Sequence, residues 1–495
     1  MKPTNPLFLT DFYKQSHANL YEDDVEKIYS TWTPRSKISD ELPDEVIVFG
    51  IQWFIKKYLI DYFNENFFNR PKHAVISEYQ RMMLHTIGNS GIGIDRVSML
   101  HDLGYLPIRI KALPEGTRCP LKCPYMTIEN TDHDFFWLTN FLETLISCEL
   151  WKPATSATIA DQYKKIFKDY SDLTCDDDSH IMFQGHDFSM RGMSGIEASA
   201  ISGAGHLLSF YGTDTIPAIT LLEDYYNASV VIETIGASIP ATEHSIMCCN
   251  SATTVDGDPL REYEAFKRII TKVHPSGYVA VVSDTWNIWN IMSDVLPKLR
   301  GDIMARDGKL VIRPDSGDPV KIVLGNPESD NEYERKGVIR CLAEIFGTTT
   351  NSKGYKVLDS HIGCIYGDAI TLERAERICD GLANMGFASS NIVFGIGSYT
   401  YNYNTRDTFG FAMKSTYAIR SGEPVQLYKN PVTDNGKKKS QKGMVAVLKP
   451  NDKLVYVDGL VKERLDDLMN VVFEDGRLYE EQSLSDIRSR IKQSL

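Results

Sequence analysis

The segment Arg313-Pro314-Asp315-Ser316-Gly317-Asp318 places a guanidinium, carboxylates, a hydroxyl and a glycine directly after the apolar run Leu310-Val311-Ile312. Pro314 has no ladder donor and ends the strand. Arg313 offers a planar fork for phosphate, while Asp315 can accept from sugar hydroxyls or help to hold a metal. Gly317 lets a backbone amide approach a ligand closely. The plain alternative is a surface strand-to-turn junction made of ordinary turn residues.

Other run ends carry similar groups. Glu243-His244-Ser245 follows Ile239-Pro240-Ala241. His244 could be a general base, a metal ligand, a phosphoryl acceptor or an ordinary hydrogen-bonded histidine. No Gly-x-Ser-x-Gly elbow surrounds Ser245, which speaks against a hydrolase. Asp284 ends the run Val281-Val282-Ser283 and could orient His244 or cap the next helix. Asp214, in Gly212-Thr213-Asp214-Thr215, has the same ambiguity. A buried aspartate that accepts from an amide N–H would reject a carboxylate ligand by charge repulsion. In His186-Asp187-Phe188-Ser189-Met190-Arg191-Gly192, Phe188 could stack on a planar ligand and Arg191 could bind phosphate; core plus surface charge is the alternative. Gly395-Ile396-Gly397-Ser398 could aim amides at a phosphate, with Arg406 and Lys414 following as cations or as solvated surface charge. Neither a Walker A loop nor a full Gly-x-Gly-x-x-Gly fingerprint is present. Singly, each group has an adequate structural explanation. Together, strand ends bearing Arg, Asp, His and Gly point to an anionic sugar phosphate with a divalent metal.

Seven short apolar runs position these groups, at 181–187, 211–214, 238–244, 279–284, 310–315, 362–368 and 392–397. Helices are expected at 194–209, 260–273, 286–299, 332–346 and 371–386. Strands alternating with helices imply a parallel sheet with right-handed crossovers. Closed into a barrel, such a sheet gathers its polar strand ends on one rim. The small-residue stretch 194–205 predicts a helix whose backbone packs close to a neighbour. In the flanks, 50–63 and 135–151 read as aromatic-rich helices, and Met444–Leu448 with 453–457 as a hairpin. The expected fold class is α/β: a central barrel-like domain of about seven parallel strands over 181–400. The flanks 1–180 and 401–495 are expected to build a second, β-rich α+β domain.

A chain of 495 residues has room for two or three such domains. Net charge of −13 argues against broad nucleic-acid binding, although a local basic pocket for an anionic metabolite remains open. Nine scattered cysteines, an odd number without a framework, fit a reducing compartment. Cys119 and Cys123 lack the second pair and nearby histidine of a zinc site. No run approaches a membrane span, and Met1-Lys2-Pro3-Thr4-Asn5-Pro6 lacks a signal-peptide core, so the expected location is cytoplasmic.

Over roughly residues 8–490 the chain resembles the nicotinamide phosphoribosyltransferases, a type II phosphoribosyltransferase family. Its landmarks begin with Thr10-Asp11-Phe12-Tyr13-Lys14, Glu129-Asn130-Thr131-Asp132 and Trp137-Leu138-Thr139-Asn140, and continue through the run ends above. Asn351-Ser352-Lys353-Gly354-Tyr355-Lys356, Gly367-Asp368 and Thr405-Arg406-Asp407 complete them. The resemblance implies transfer of a phosphoribosyl group from phosphoribosyl pyrophosphate to nicotinamide, with nicotinate as the alternative acceptor. It also implies a homodimer with shared sites. Phe188 and Tyr13 of opposite subunits would sandwich the pyridine, and Asp214 would accept from its carboxamide. Arg313 would bind near base and ribose, with Asp315, Gly367 and Asp368 around the ribose and its phosphate. Arg191, Arg406 and Lys414 would contact phosphates. Asp11, Ser238, Ser316, Gly317, Gly397 and Ser398 complete the implied substrate-binding set. His244 would be phosphorylated by ATP and oriented by Asp284. Magnesium would be held mainly by substrate phosphates, with no protein ligand assigned. Two departures stand out: Gly397-Ser398-Tyr399 replaces a glycine-rich run, and Ala280 stands where the family has a serine near the ligand.

Overall fold

Side chains that alternate between two apolar environments shape the middle of the chain. The computed structural model describes residues 4–251, 261–429 and 440–493. In it, β1 (Gly185–Asp187), β2 (Gly212–Thr213), β3 (Val279–Val282), β4 (Leu310–Arg313), β5 (Ile362–Tyr366) and β6 (Ile392–Ile396) form one sheet. The order is β2-β1-β6-β5-β4-β3, and every pairing is parallel. Val279, Val281, Leu310, Ile312, Ile362, Cys364, Ile392 and Phe394 join a large core shared with the surrounding helices. Their sequence neighbours Ala280, Val311 and Ile365 form a separate small cluster, against which Phe188 and Val393 pack. This is the period-2 pattern of a sheet with two different faces.

Residues 237–241 bridge both edges of the sheet. Ala237 pairs with Gly212 of β2, and Ala241 with Ala280 of β3. Four backbone hydrogen bonds hold them: Ala237 N–H to Tyr211 O, Thr213 N–H to Ala237 O, Ala280 N–H to Pro240 O and Thr242 N–H to Ala280 O. Pro240 cannot donate, so this seventh run does not form a regular ladder. The barrel-like domain is thus six regular strands joined by one bridging segment.

Several expected boundaries shift. Residues Ile181–Gln184 make a helical turn before β1 rather than strand. The helix expected at 332–346 splits into Glu332–Lys336 and Val338–Phe346 around Gly337, whose φ is 76°. The helix expected from residue 260, which lies outside the described residues, runs on from Glu262. Helix Ile196–His206 packs closely, as its small residues predict: a Cβ at Gly203 would lie 2.8 Å from Ala218 Cβ and 3.1 Å from Asp187 Oδ2.

The chain divides into two units. The barrel unit comprises Ile159–Thr220 and Ser229–Tyr403; the other comprises residues up to Thr158, Leu221–Ala228 and residues from Asn404 onward. The first boundary therefore falls inside helix Trp151–Thr174 and not at residue 180. The reason is packing: Tyr163 OH donates to Ile370 O at 2.9 Å, and Phe167 stacks on Phe394 with centroids 5.0 Å apart. In the flanking unit, a seven-stranded antiparallel sheet interleaves both chain ends. Its order is Glu423–Gln426, Ala412–Arg420, Val25–Thr33, Met126–Asn130, Ile108–Ala112, Asn470–Glu474 and Arg477–Leu478. Met444–Leu448 pairs with Val455–Leu460 as the expected hairpin. Among the described residues, no helix is long and apolar enough to cross a membrane.

Candidate active site

The first residues beyond the barrel strands bring together most of the candidates. His186 and Phe188 lie two apart and share a face, with ring centroids 4.5 Å apart. His186 Nε2 is 3.0 Å from Asp214 Oδ1, and Ser238 Oγ donates to that same oxygen at 2.5 Å. Burial alone would raise the Asp214 pKa. Hydrogen bonds from His186 and Ser238, with the charge of Arg313, outweigh it and hold the carboxyl below its ordinary value. The Arg313 guanidinium sits 4.8 Å from the Phe188 ring centroid, within cation–π range. Gly395 leaves room for that ring, because a Cβ there would lie 2.7 Å from Phe188 Cδ2. Ala280, with Val311 and Ile365, forms the apolar patch behind Phe188 and supplies no polar group to it.

A second cluster adjoins through Arg313, whose Nη2 is 3.6 Å from Asp315 Oδ1. A Cβ at Gly367 would collide with Asp315 Oδ1 and lie 2.9 Å from Arg313 Nε. Asp284 Oδ2 accepts from the Asp315 N–H at 2.8 Å, while its Oδ1 lies 4.0 Å from His244 Nε2. The same His244 nitrogen is 3.9 Å from Asp315 Oδ2, and His244 Nδ1 is 3.4 Å from Thr285 Oγ1. Asp284 does not cap the next helix; Asn287 does, accepting from Trp289 N–H. Two buried polar atoms here, Asp284 Oδ1 and Arg313 Nε, have no hydrogen-bond partner. His244 opens helix His244–Ser251 and is partly exposed, whereas the Asp284 side chain is buried.

Ser316, Gly317 and Asp318 line the exposed loop after β4. Gly317 has φ 92°, its carbonyl accepts from Tyr366 OH, and Asp318 caps helix Pro319–Leu324. Asp368 is exposed just beyond β5. Gly397 and Ser398 begin the turn after β6, which meets the Arg191 turn: a Cβ at Gly192 would collide with Ser398 Oγ, and Asn402 Nδ2 donates to Gly192 O. Arg191 itself is exposed.

Four candidates belong to the flanking unit. Asp11 accepts from Thr144 Oγ1 at 2.9 Å, and Tyr13 is exposed beside His17. Lys414, on strand Ala412–Arg420, shares a cationic neighbourhood with Arg35, Arg406 and Lys14. Partial burial is the main reason its pKa lies below the ordinary lysine value; the neighbouring cations add to this and Glu143 opposes it. Sequence reasoning passed over Arg35, whose Nε donates to Gly410 O, along with Thr285 and the role of His186. Only the spacing of His186 and Phe188 on one strand face could have pointed to that role. Among the described residues, no group of three or more His, Cys, Asp and Glu side chains is arranged to hold a metal ion.

Parallel strands whose ends gather arginine, histidine, carboxylates and a phenylalanine ring have a counterpart among known proteins. Residues 183–477 match the model of the nicotinate phosphoribosyltransferase (NAPRTase) family, and the chain belongs to that family of phosphoribosyl-transferring enzymes. Nearly its full length is similar to nicotinamide phosphoribosyltransferases. It is 47% identical to that of Acinetobacter baylyi, over 99% of this chain and 98% of that protein. Against that of Xanthomonas campestris pv. campestris the identity is 34%, over 98% and 97%. The protein of Mycoplasma genitalium is 31% identical, over 88% and 94%. The fold is shared with the nicotinate-nucleotide pyrophosphorylase of Pyrococcus furiosus, with TM-score 0.59, 14% identity and 99% and 95% of the two chains covered. It is shared also with human nicotinic acid phosphoribosyltransferase, with TM-score 0.57, 15% identity and 98% and 93% covered.

Proposed function

We propose that this enzyme transfers the phosphoribosyl group of phosphoribosyl pyrophosphate to nicotinamide, giving nicotinamide mononucleotide and pyrophosphate. The observation that carries the reading is Asp214, a carboxylate held in its charged form by His186, whose own ring lies against Phe188. It can accept from a carboxamide N–H, whereas a nicotinate carboxylate would face a like charge at a cost of several kcal/mol. The 47% identical Acinetobacter relative is named for nicotinamide and supports the same choice.

The pyridine nitrogen brings its own lone pair to the ribose carbon as the bond to pyrophosphate breaks, so no general base is needed. Positive charge develops on that carbon, and Asp315 would stabilise it while Arg313 would orient the sugar. Leaving-group charge would fall to Arg191, Arg406 and Lys414 and to a magnesium ion carried on the phosphates, which would supply Lewis-acid stabilisation. His244 would take a phosphoryl group from ATP, with Asp284 and Asp315 beside its Nε2 as orienting carboxylates. Exposed Phe12 and Tyr13 support a homodimer in which Tyr13 of one copy completes the ring sandwich of another. A cytoplasmic location accords with the scattered cysteines.

Turnover of nicotinamide and nicotinate, each with phosphoribosyl pyrophosphate, tests the reading. Nicotinamide should be preferred, and Asp214→Ser should shift preference towards the acid. A native preference for nicotinate would sink it.

A further inference from the structure

His186 belongs to none of the roles assigned so far, yet it is held from three sides. Its side chain is 11% exposed. The Phe188 ring lies 4.5 Å away at 37°. On the opposite strand, Gly212 leaves the space the imidazole needs: a Cβ there would lie 2.9 Å from Nδ1. The third restraint is Asp214 Oδ1, 3.0 Å from Nε2. An imidazole nitrogen facing a carboxylate carries the proton, so Nε2–H donates.

Ser238 donates to that same oxygen. Both donors converge on Oδ1, and neither reaches Oδ2. The terminal torsion of an aspartate is broad and roughly two-fold, so an unrestrained carboxylate just past a strand end would spread its oxygens over many directions. Two donors on one oxygen remove that freedom. The two are not equivalent, because Ser238 is exposed on the bridging segment, whereas His186 is buried within the regular strand β1.

We propose that His186 is a positioning residue for pyridine selection: by holding Asp214 Oδ1 it presents Oδ2 to the carboxamide N–H₂ and thereby sets the preference for amide over acid. This rests on the assignment of Asp214 given above. It adds that the carboxylate alone does not select; its orientation does, and that orientation is fixed through a histidine that touches no substrate carboxamide.

The test is the ratio of kcat/KM for nicotinamide to that for nicotinate, measured in the native enzyme and in the His186→Leu, His186→Gln and Asp214→Ser variants and the His186→Leu/Asp214→Ser double variant. His186→Leu should lower the ratio about tenfold or more, chiefly through KM for nicotinamide, the usual effect of losing one charge-assisted hydrogen bond. His186→Gln, whose side-chain amide can replace the Nε2–H donor, should recover most of it. In the Asp214→Ser background, His186→Leu should change the ratio no further, because the group it positions is gone. If the leucine variant does not fold, His186→Met is read in its place. A ratio unmoved by His186→Leu while Asp214→Ser shifts it overturns the proposal alone, as does an equal loss in both backgrounds. A ratio unmoved by Asp214→Ser overturns the assignment of Asp214 and this proposal with it.

Discussion

Side chains at the ends of β3 and β4 separate two kinds of carboxylate work. Asp284 spends one oxygen on the backbone of Asp315 and turns the other towards His244, so it ties two rim segments together while flanking the imidazole. Asp315 lies between His244 and Arg313, close to both and within 3.5 Å of neither. On the proposed reading, His244→Ala removes the phosphoryl acceptor but leaves the pyridine and ribose contacts in place. Stimulation by ATP should then vanish while ATP-independent synthesis persists, measured as nicotinamide mononucleotide formed with and without ATP. ATP coupling that survives the substitution would remove His244 from the pathway. The place of Arg313 and Asp315 at a strand end was legible in the chain because Pro314 between them cannot continue a ladder. Asp284 was legible only as one of two roles, because a carboxylate before a helix is an equally good cap. Asn287 taking the cap is a choice made by backbone geometry three residues on.

Elements of the barrel unit follow the apolar runs closely, since short continuous runs bounded by polar residues are what a doubly covered parallel strand requires. Residues 181–184 misled because a four-residue apolar stretch has no period that separates strand from helical turn. The close approach of helix Ile196–His206 was foreseeable from its composition, and it carries a cost if disturbed. Gly203 faces Ala218, Thr215 and the buried carboxylate of Asp187, which in turn accepts from Ser189 N–H behind Phe188. Gly203→Val should therefore destabilise by about 1–3 kcal/mol through overpacking, seen as a fall of several degrees in the thermal midpoint. A variant as stable as the native enzyme would show that the helix can move aside at no cost.

Across the whole molecule, the chain builds its flanking unit from three separated stretches, so neither end of the sequence is a domain by itself. That the flanks belong together was legible from their shared β-rich character. The inclusion of Leu221–Ala228 was not, because nothing in a helical stretch announces that its final turn packs elsewhere. If the active enzyme is the proposed dimer with shared sites, Tyr13→Ala and Phe188→Ala should each disable every site in a homodimer. Co-expressed, they should recover about a quarter of native activity, since half the dimers are mixed and each mixed dimer has one intact site. No recovery would argue that Tyr13 serves its own chain. The bridging segment 237–241 has one more consequence. A ring of strands closed on each side by a single bridge has a latch, and a latch is where such a ring first comes apart. This one carries Ser238 and leads directly into His244, so on the proposed reading opening it would release the hold on Asp214 and displace the proposed phosphoryl acceptor in one motion.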